Sequence, residues 1–228
     1  MNDPLVSIII PTYDRPELLA QCLRSIEETV TPPHEIVGVY VAGDDQSRLT
    51  LDNFRARSIE QPDRSGFVKA VNLGLRAARG EYVLTINDDC VLLPHSLANA
   101  VRFLLAPGHE RVGQVAFFHN SPVSRNIYTQ IQLDDVWFYV CHVRGLCYAN
   151  FGLARRELYE QLDYYDERFF MYGADPDFSL KVWHEAKLTV VPCPGALIRH
   201  LELNDDRAIE ERARQDEDNH KLFEKWDL

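Results

Sequence analysis

Three times in the first 118 residues, a short apolar run ends in a polar, mostly acidic cluster and is followed by a helical pattern. Few folds accommodate that repeat. The first run, Leu5-Val6-Ser7-Ile8-Ile9-Ile10, is β-branched and stopped by Pro11, which is how a strand buried on both faces reads. Asp14-Arg15-Pro16-Glu17 then offers an N-cap, a first-turn proline and a capping-box glutamate. Leu19, Cys22, Leu23, Ile26 and Val30 follow at helical spacing. Ile36 to Val41 is a second strand, ending in Gly43-Asp44-Asp45-Gln46-Ser47, and Phe67 to Ala78 a helix stopped by Gly80. Tyr82 to Ile86 is a third strand, ending in Asn87-Asp88-Asp89; a helix from Pro94 to Leu105 and a strand from Val112 to Phe118 complete the series. Strands alternating with helices predict an α/β fold with a mostly parallel central sheet flanked by helices.

The second half changes character. Ile127, Thr129, Ile131 and Leu133 alternate and precede the aromatic run Trp137-Phe138-Tyr139, so mixed or antiparallel strands are expected over 119–150. Aromatics at strand spacing belong to a core more often than to a ligand-stacking platform. Arg155 to Leu162 reads as a helix, and Asp175-Pro176 opens another, reaching Ala186. Leu188 to Val191 and Ala196 to Ile198 are short strands. From Glu202 onward, ten acidic and five basic residues predict one exposed C-terminal helix anchored by Ile209, Ala213, Leu222, Phe223 and Trp226. No repeat or low-complexity linker divides the chain. A single domain over 1–228 is expected, with a tail from 201 to 228.

The net charge of −11 argues against nucleic acid or a wide anionic surface as partner, and about half of it lies in the tail. Five cysteines with no CxxC pair point to a reducing compartment rather than a disulfide framework. Cys141, His142 and Cys147 match no usual zinc-finger spacing. Met-Asn-Asp-Pro has no basic region before the apolar run, so no signal peptide is expected, and no uncharged stretch reaches the roughly 18 residues of a membrane span. A cytoplasmic protein is the expectation, with peripheral membrane contact left open.

In open α/β sheets, ligands bind outside the carboxyl ends of the strands. Thr12-Tyr13-Asp14, Asp44-Asp45 and Asn87-Asp88-Asp89 all fall there. One such cluster is an ordinary cap or turn. Three acidic ends on one rim repel unless a cation joins them, and a hard divalent metal holding a diphosphate would satisfy them.

These residues resemble a known family. Val6 to Arg15 looks like the first strand of family 2 glycosyltransferases of GT-A type. Gly66 to Leu75, containing Asn72, and Ala78 to Leu84 are similar to the segment before that family's DxD motif. Gly145 to Arg156, then Tyr165 to Asp177, resemble its acceptor-side segment, and Ile198-Arg199-His200 its closing histidine. The resemblance spans roughly residues 5–200. It implies a nucleotide-sugar-binding half over 1–118, an acceptor-side half over 119–200, and transfer of a sugar from a nucleoside-diphosphate donor to a hydroxyl of a glycan, a lipid-linked or another acceptor. Pro11, Thr12, Tyr13 and Asp14, with Asp44 or Asp45, would meet the nucleotide; Asn72 and Gly145 belong to the substrate-side set.

Asn87-Asp88-Asp89 occupies the DxD slot with Asn first, as in the rhamnosyltransferase-like branch, which suggests a UDP- or dTDP-type donor. Asp89 would bind Mn2+ or Mg2+, joined by His200, whose imidazole suits Mn2+ better. Asp88 has a bland alternative as a turn cap. Asp175 matches the general base of inverting members; an N-cap position would lower its pKa and keep it ionised. Ala174 departs from the family's Glu. Two rivals stand beside this reading. One is a nucleotide-sugar-binding relative without turnover. The other, a sugar nucleotidyltransferase, would carry a Gly-rich basic loop where Pro11-Thr12-Tyr13-Asp14 stands.

Overall fold

The computed structural model describes residues 5–121, 126–201 and 205–228. Its organising element is β1 (Val6–Thr12), buried along its whole length. Alternation sends Ile8 and Ile10 to one face of the sheet and Ile9 to the other. On the first face they meet Leu19, Cys22, Leu23 and Ile26 of α1 (Pro16–Thr29). On the opposite face Ile9 meets Val68, Val71 and Leu75 of α3 (Phe67–Ala77). Each such aliphatic side chain contributes about 2 kcal/mol on burial. Gly74 lets α3 approach this closely: a Cβ there would stand 2.4 Å from Ile9 Cγ2. Ser7 is tolerated inside the strand because its hydroxyl donates to Glu35 and accepts the Gly80 amide.

β1 lies between β2 (His34–Val41) and β4 (Tyr82–Thr85), parallel to both, and β3 (Arg57–Gln61) extends the parallel set beyond β2. Past β4, β10 (Gly152–Arg155) runs antiparallel between β4 and β6 (Val112–His119). The order continues through β11 (Thr189–His200) to β5 (Cys90–Leu92). Because β10 opposes both neighbours, β4 and β6 share a direction, and β11 is parallel to β6. The ends of β1, β2, β4, β6 and β11 therefore reach one rim. A strand from the second half sits between two from the first, so one sheet joins both halves. Helix α4 (Ser96–Leu104) joins α1 on the first face. On the other, α3 is accompanied by α5 (Arg156–Gln161) and α6 (Ala174–His184). β7 (Ile127–Leu133), β8 (Val136–Val143) and β9 (Leu146–Tyr148) form an antiparallel ribbon on β6.

Several local expectations change. Asp14 is not the cap of α1: it takes a left-handed φ of 53°, and Arg15 holds the N-cap position. Residues 45–61, without an assigned element from sequence, form α2 (Asp45–Asn53) and β3. The two short strands after residue 188 are one strand, β11, broken in register between Pro192 and Leu197. The start of the predicted tail helix at Glu202 lies outside the described residues. Its remainder is two helices, α7 (Asp206–Arg212) and α8 (Gln215–Trp226). They are docked rather than solvated: Leu222 is buried, and Trp226 Nε1 donates to Asp177 at 2.7 Å. Ile209 and Phe223, expected as anchors, are 55% and 50% exposed.

Candidate active site

A cleft of about 550 Å3 opens at the rim. Asn87, Asp88, Asp89, Asp175 and His200 line it, so the structure brings together the DxD-like motif, the candidate base and the closing histidine. Their meeting follows from topology. β5 leaves the motif directly and pairs antiparallel with the end of β11, placing His200 opposite Cys90. The Leu201 amide donates to Asp89 O, and His200 Nε2 lies 3.0 Å from Asp89 Oδ1.

The other expected ligand residues are not among those that line the cleft. Pro11 is internal to β1, and Thr12 Oγ1 donates to Asp88 Oδ2 at 2.9 Å. The Tyr13 ring is covered by the Arg64 guanidinium, 4.5 Å from its centroid. Asp44 caps α2 through the Ser47 amide and takes the Asp14 amide on its other oxygen. The Asp45 side chain is 79% exposed beside Arg48. Asn72 is wholly buried, tying α3 to Tyr165 through donor and acceptor. Gly145, at φ 81°, makes the exposed β8–β9 turn. None of these eight lines the cleft. Nor do Trp137, Phe138 and Tyr139; Phe138 is core.

The acidic residues were expected to have only a metal as counter-charge. Two arginines correct this. Arg15 Nη1 is 3.3 Å from Asp89 Oδ2, and its other nitrogens grip Asp205 at 2.6 and 2.8 Å. Arg207 Nη1 donates to Asp88 Oδ2 and to the Tyr13 carbonyl, and its Nε to Glu211. Arg207 belongs to α7, so the tail supplies part of the cleft. Among the described residues four carboxylates, Asp88, Asp89, Asp205 and Glu211, face two guanidiniums. Burial pushes the Asp88 pKa upward; Arg207 opposes the shift and Asp89 adds to it.

A divalent ion fits this chemistry. A separation of 3.0 Å between Asp89 Oδ1 and His200 Nε2 is what two ligands at right angles make around an ion at bond lengths of about 2.1 Å. Cys90 Sγ lies in the same group, within 4.8 Å. Burial and the neighbouring Asp89 charge keep that thiol protonated, which makes it a poor ligand. Asp88 Oδ1 is buried with no hydrogen bond among the described residues.

Asp175 departs from the expectation in position and in acidity. Gly173, at φ 75°, is the N-cap, and Asp175 is the second residue of α6. Its pKa is raised to about 8, where capping predicted a fall. The cause is desolvation: beneath it lie Tyr159, Tyr165 and Phe178, stacked at centroid distances of 4.6 and 4.9 Å. The nearby Asn150 side chain opposes the shift without cancelling it. Ala174 is fully buried in the same core, where a glutamate would lack a partner.

The sequence profile of glycosyl transferase family 2 matches residues 7–171. The chain belongs to glycosyl transferase family 2. As a glycosyltransferase it resembles YwdF of Bacillus subtilis, described as an uncharacterized glycosyltransferase, at 24% identity over 98% of this chain and 84% of that one. EpsJ of the same organism, also uncharacterized, is 24% identical over 87% of this chain. The mannosyltransferase PcManGT from Pyrobaculum calidifontis, solved with GDP-Man and Mn2+, superposes with a TM-score of 0.71 at 22% identity. This chain covers 62% of its length, and 94% of this chain is matched. S. aureus TarS with UDP-GlcNAc gives a TM-score of 0.66 at 18% identity, covering 88% of this chain and 59% of that one. These likenesses establish the GT-A fold.

Proposed function

We propose that this glycosyltransferase moves a sugar from a nucleoside-diphosphate donor of UDP or dTDP type to a hydroxyl acceptor, with inversion and with Mn2+ or Mg2+ as cofactor. One observation carries the reading. A desolvated carboxylate, Asp175, and the Asp89–His200 pair line the same cleft. In a single displacement, the acceptor oxygen bonds to the anomeric carbon while the bond to the diphosphate breaks. The acceptor proton passes to Asp175, and the nucleoside diphosphate leaves. A base with a pKa near the working pH combines proton affinity with a usable ionised fraction. Asp89 and His200 would hold the metal, which when bound neutralises the diphosphate. Arg15 and Arg207 supply planar, multidentate donors suited to phosphate oxygens.

Nucleotide sugars are bound by two of the structural relatives, GDP-Man by PcManGT and UDP-GlcNAc by TarS, which supports the donor class. Among the described residues no helix is long and apolar enough to cross a membrane. All five cysteines are free thiols, which supports a cytoplasmic setting.

The test is a thermal-shift series with UDP, dTDP and GDP sugars, with and without Mn2+, followed by donor hydrolysis. Binding raises the midpoint in proportion to RT ln(1 + [L]/Kd). Asp175→Asn is expected to keep the shift and lose about a hundredfold or more in Mn2+-dependent hydrolysis, the lower end for removing a general base. If no nucleotide moves the midpoint, the donor site is misassigned. Undiminished hydrolysis in Asp175→Asn removes the base assignment. A second reading, a nucleotide-sugar-binding module without turnover, draws on the arginines already paired with Asp88 and Asp89. It predicts the shift with no hydrolysis above a chelated control.

A further inference from the structure

The parallel pairing of β6 with β11 ends where His119 lies beside Ile198. His200 is two residues further along β11, past the last β6 partner. Neighbouring residues of a strand send their amides to opposite sides, and each amide needs an acceptor. The Leu201 amide turns toward β5 and donates to the Asp89 carbonyl at 2.8 Å. The His200 amide turns the other way, toward β6, which stops at His119. A side chain meets it there: Asn120 Oδ1 accepts the His200 amide at 2.6 Å. A backbone amide only donates, so the oxygen end of Asn120 faces β11. The ladder is thus extended by one rung that a side chain supplies.

A second contact holds the imidazole. The Phe151 ring meets that of His200 edge to face, with centroids 5.6 Å apart at 71°. Phe151 is buried, and its carbonyl accepts the Phe117 amide of β6 at 3.0 Å. β6 therefore secures His200 twice, its backbone through Asn120 and its ring through Phe151. On the other side His200 pairs only with Cys90 of β5, a three-residue strand at the end of the sheet. The product of these contacts is the 3.0 Å separation between His200 Nε2 and Asp89 Oδ1. Ligands already held at their working separation lose less conformational entropy when an ion binds, so whatever fixes His200 bears on metal affinity.

We propose that Asn120 is a positioning residue for the metal ligand His200: by accepting the His200 amide where β6 ends, its side chain sets the imidazole against Asp89 and so raises the affinity of the pair for Mn2+. The inference rests on the reading of Asp89 and His200 as the metal pair. Asn120 does not line the cleft, so it acts through His200 rather than on ion or substrate.

Mn2+ binding to the ligand-free protein, followed as loss of the free-ion EPR signal, tests this without donor, acceptor or turnover. Asn120→Leu, close in size and unable to accept, is expected to weaken binding about tenfold, the lower end for outer-shell partners of metal ligands. Asn120→Ala should do the same if the leucine variant does not fold. Asn120→Asp keeps an accepting oxygen at the position and should bind Mn2+ at least as tightly as the parent. Parental affinity in folded Asn120→Leu or Asn120→Ala overturns the proposal, as does an Asn120→Asp variant as weak as either. Asp89→Asn and His200→Ala keep the two failures apart. If either binds Mn2+ as the parent does, or the parent binds none, the metal reading itself falls. If both lose binding while Asn120→Leu retains it, only the positioning role is removed.

Discussion

Asp88 is 1% exposed at its side chain and shares its charge with Arg207 at 2.9 Å. Removing the arginine would leave a buried carboxylate whose remaining cation, Arg15, stands 3.9 Å away. Breaking one side of a buried pair costs about 3 kcal/mol. Arg207→Met is therefore expected to lower stability by that amount in urea denaturation, and Asp88→Asn in the same background to recover a measurable part. If the double variant is no more stable than Arg207→Met, the charge is not what makes the arginine necessary. At this scale the sequence revealed one side of the site. Asp88, Asp89, Asp175 and His200 stand out because each belongs to a local motif. Arg15 and Arg207 do not: Arg15 reads as part of a helix start, and Arg207 as one basic residue in an acidic run. Their partners lie 74 and 119 residues away, a separation no local pattern encodes. Asp44 carries a local role that its sequence context did not single out. Its carboxylate caps α2 through the Ser47 amide.

At the scale of elements, α8 bears on the site through Asp218. This 1% exposed carboxylate accepts the amides of Phe170, Met171 and Tyr172 at 2.9 to 3.1 Å. Those residues lead to Gly173, the cap of the helix that carries Asp175. Hydrogen bonds to a charged acceptor are worth about 1.5–3 kcal/mol, and the amides are unsatisfied when it is removed. Asp218→Ala should cost about 3 kcal/mol, seen as a lower denaturation midpoint at unchanged slope. Asp218→Asn, which keeps one accepting oxygen, should cost less. Equal stability of Asp218→Ala and the parent would mean that the loop is held by other contacts. Strong periodicity made β1, α1, α3 and α4 legible, because each buries one continuous apolar stripe. α2 was not: its residues are mostly polar, and only Ser47 and Leu51 are buried. The tail misled because its charge suggested solvent, whereas Asp218 and Arg207 turn inward to partners far away in sequence.

For the whole molecule, the site leaves its mark on the pH dependence of folding. Asp175 binds its proton with a pKa of about 8 in the fold, against an ordinary 3.8. Between those values the native state holds a proton that the unfolded chain has lost, so this group makes stability fall as pH rises. His119 acts oppositely. Its pKa of about 4, against an ordinary 6.5, means that the unfolded chain is the more protonated form between them, and stability rises with pH. The two effects oppose each other up to pH 6.5, and from there to pH 8 that of Asp175 continues alone. Over this upper window it can remove up to about 1.4 kcal/mol per pH unit, less where cleft water screens the carboxyl. Asp175→Asn cannot ionise. Urea denaturation at pH 6.5 and pH 8 should therefore show the variant gaining stability relative to the parent as pH rises, while contributions common to both chains cancel. Parallel curves would mean that Asp175 is solvated in the native state and that the aromatic stack beneath it does not set its affinity for a proton. Divergent curves would show the fold sustaining a destabilising carboxylate at the position where a base is needed, without donor, acceptor or metal in the experiment.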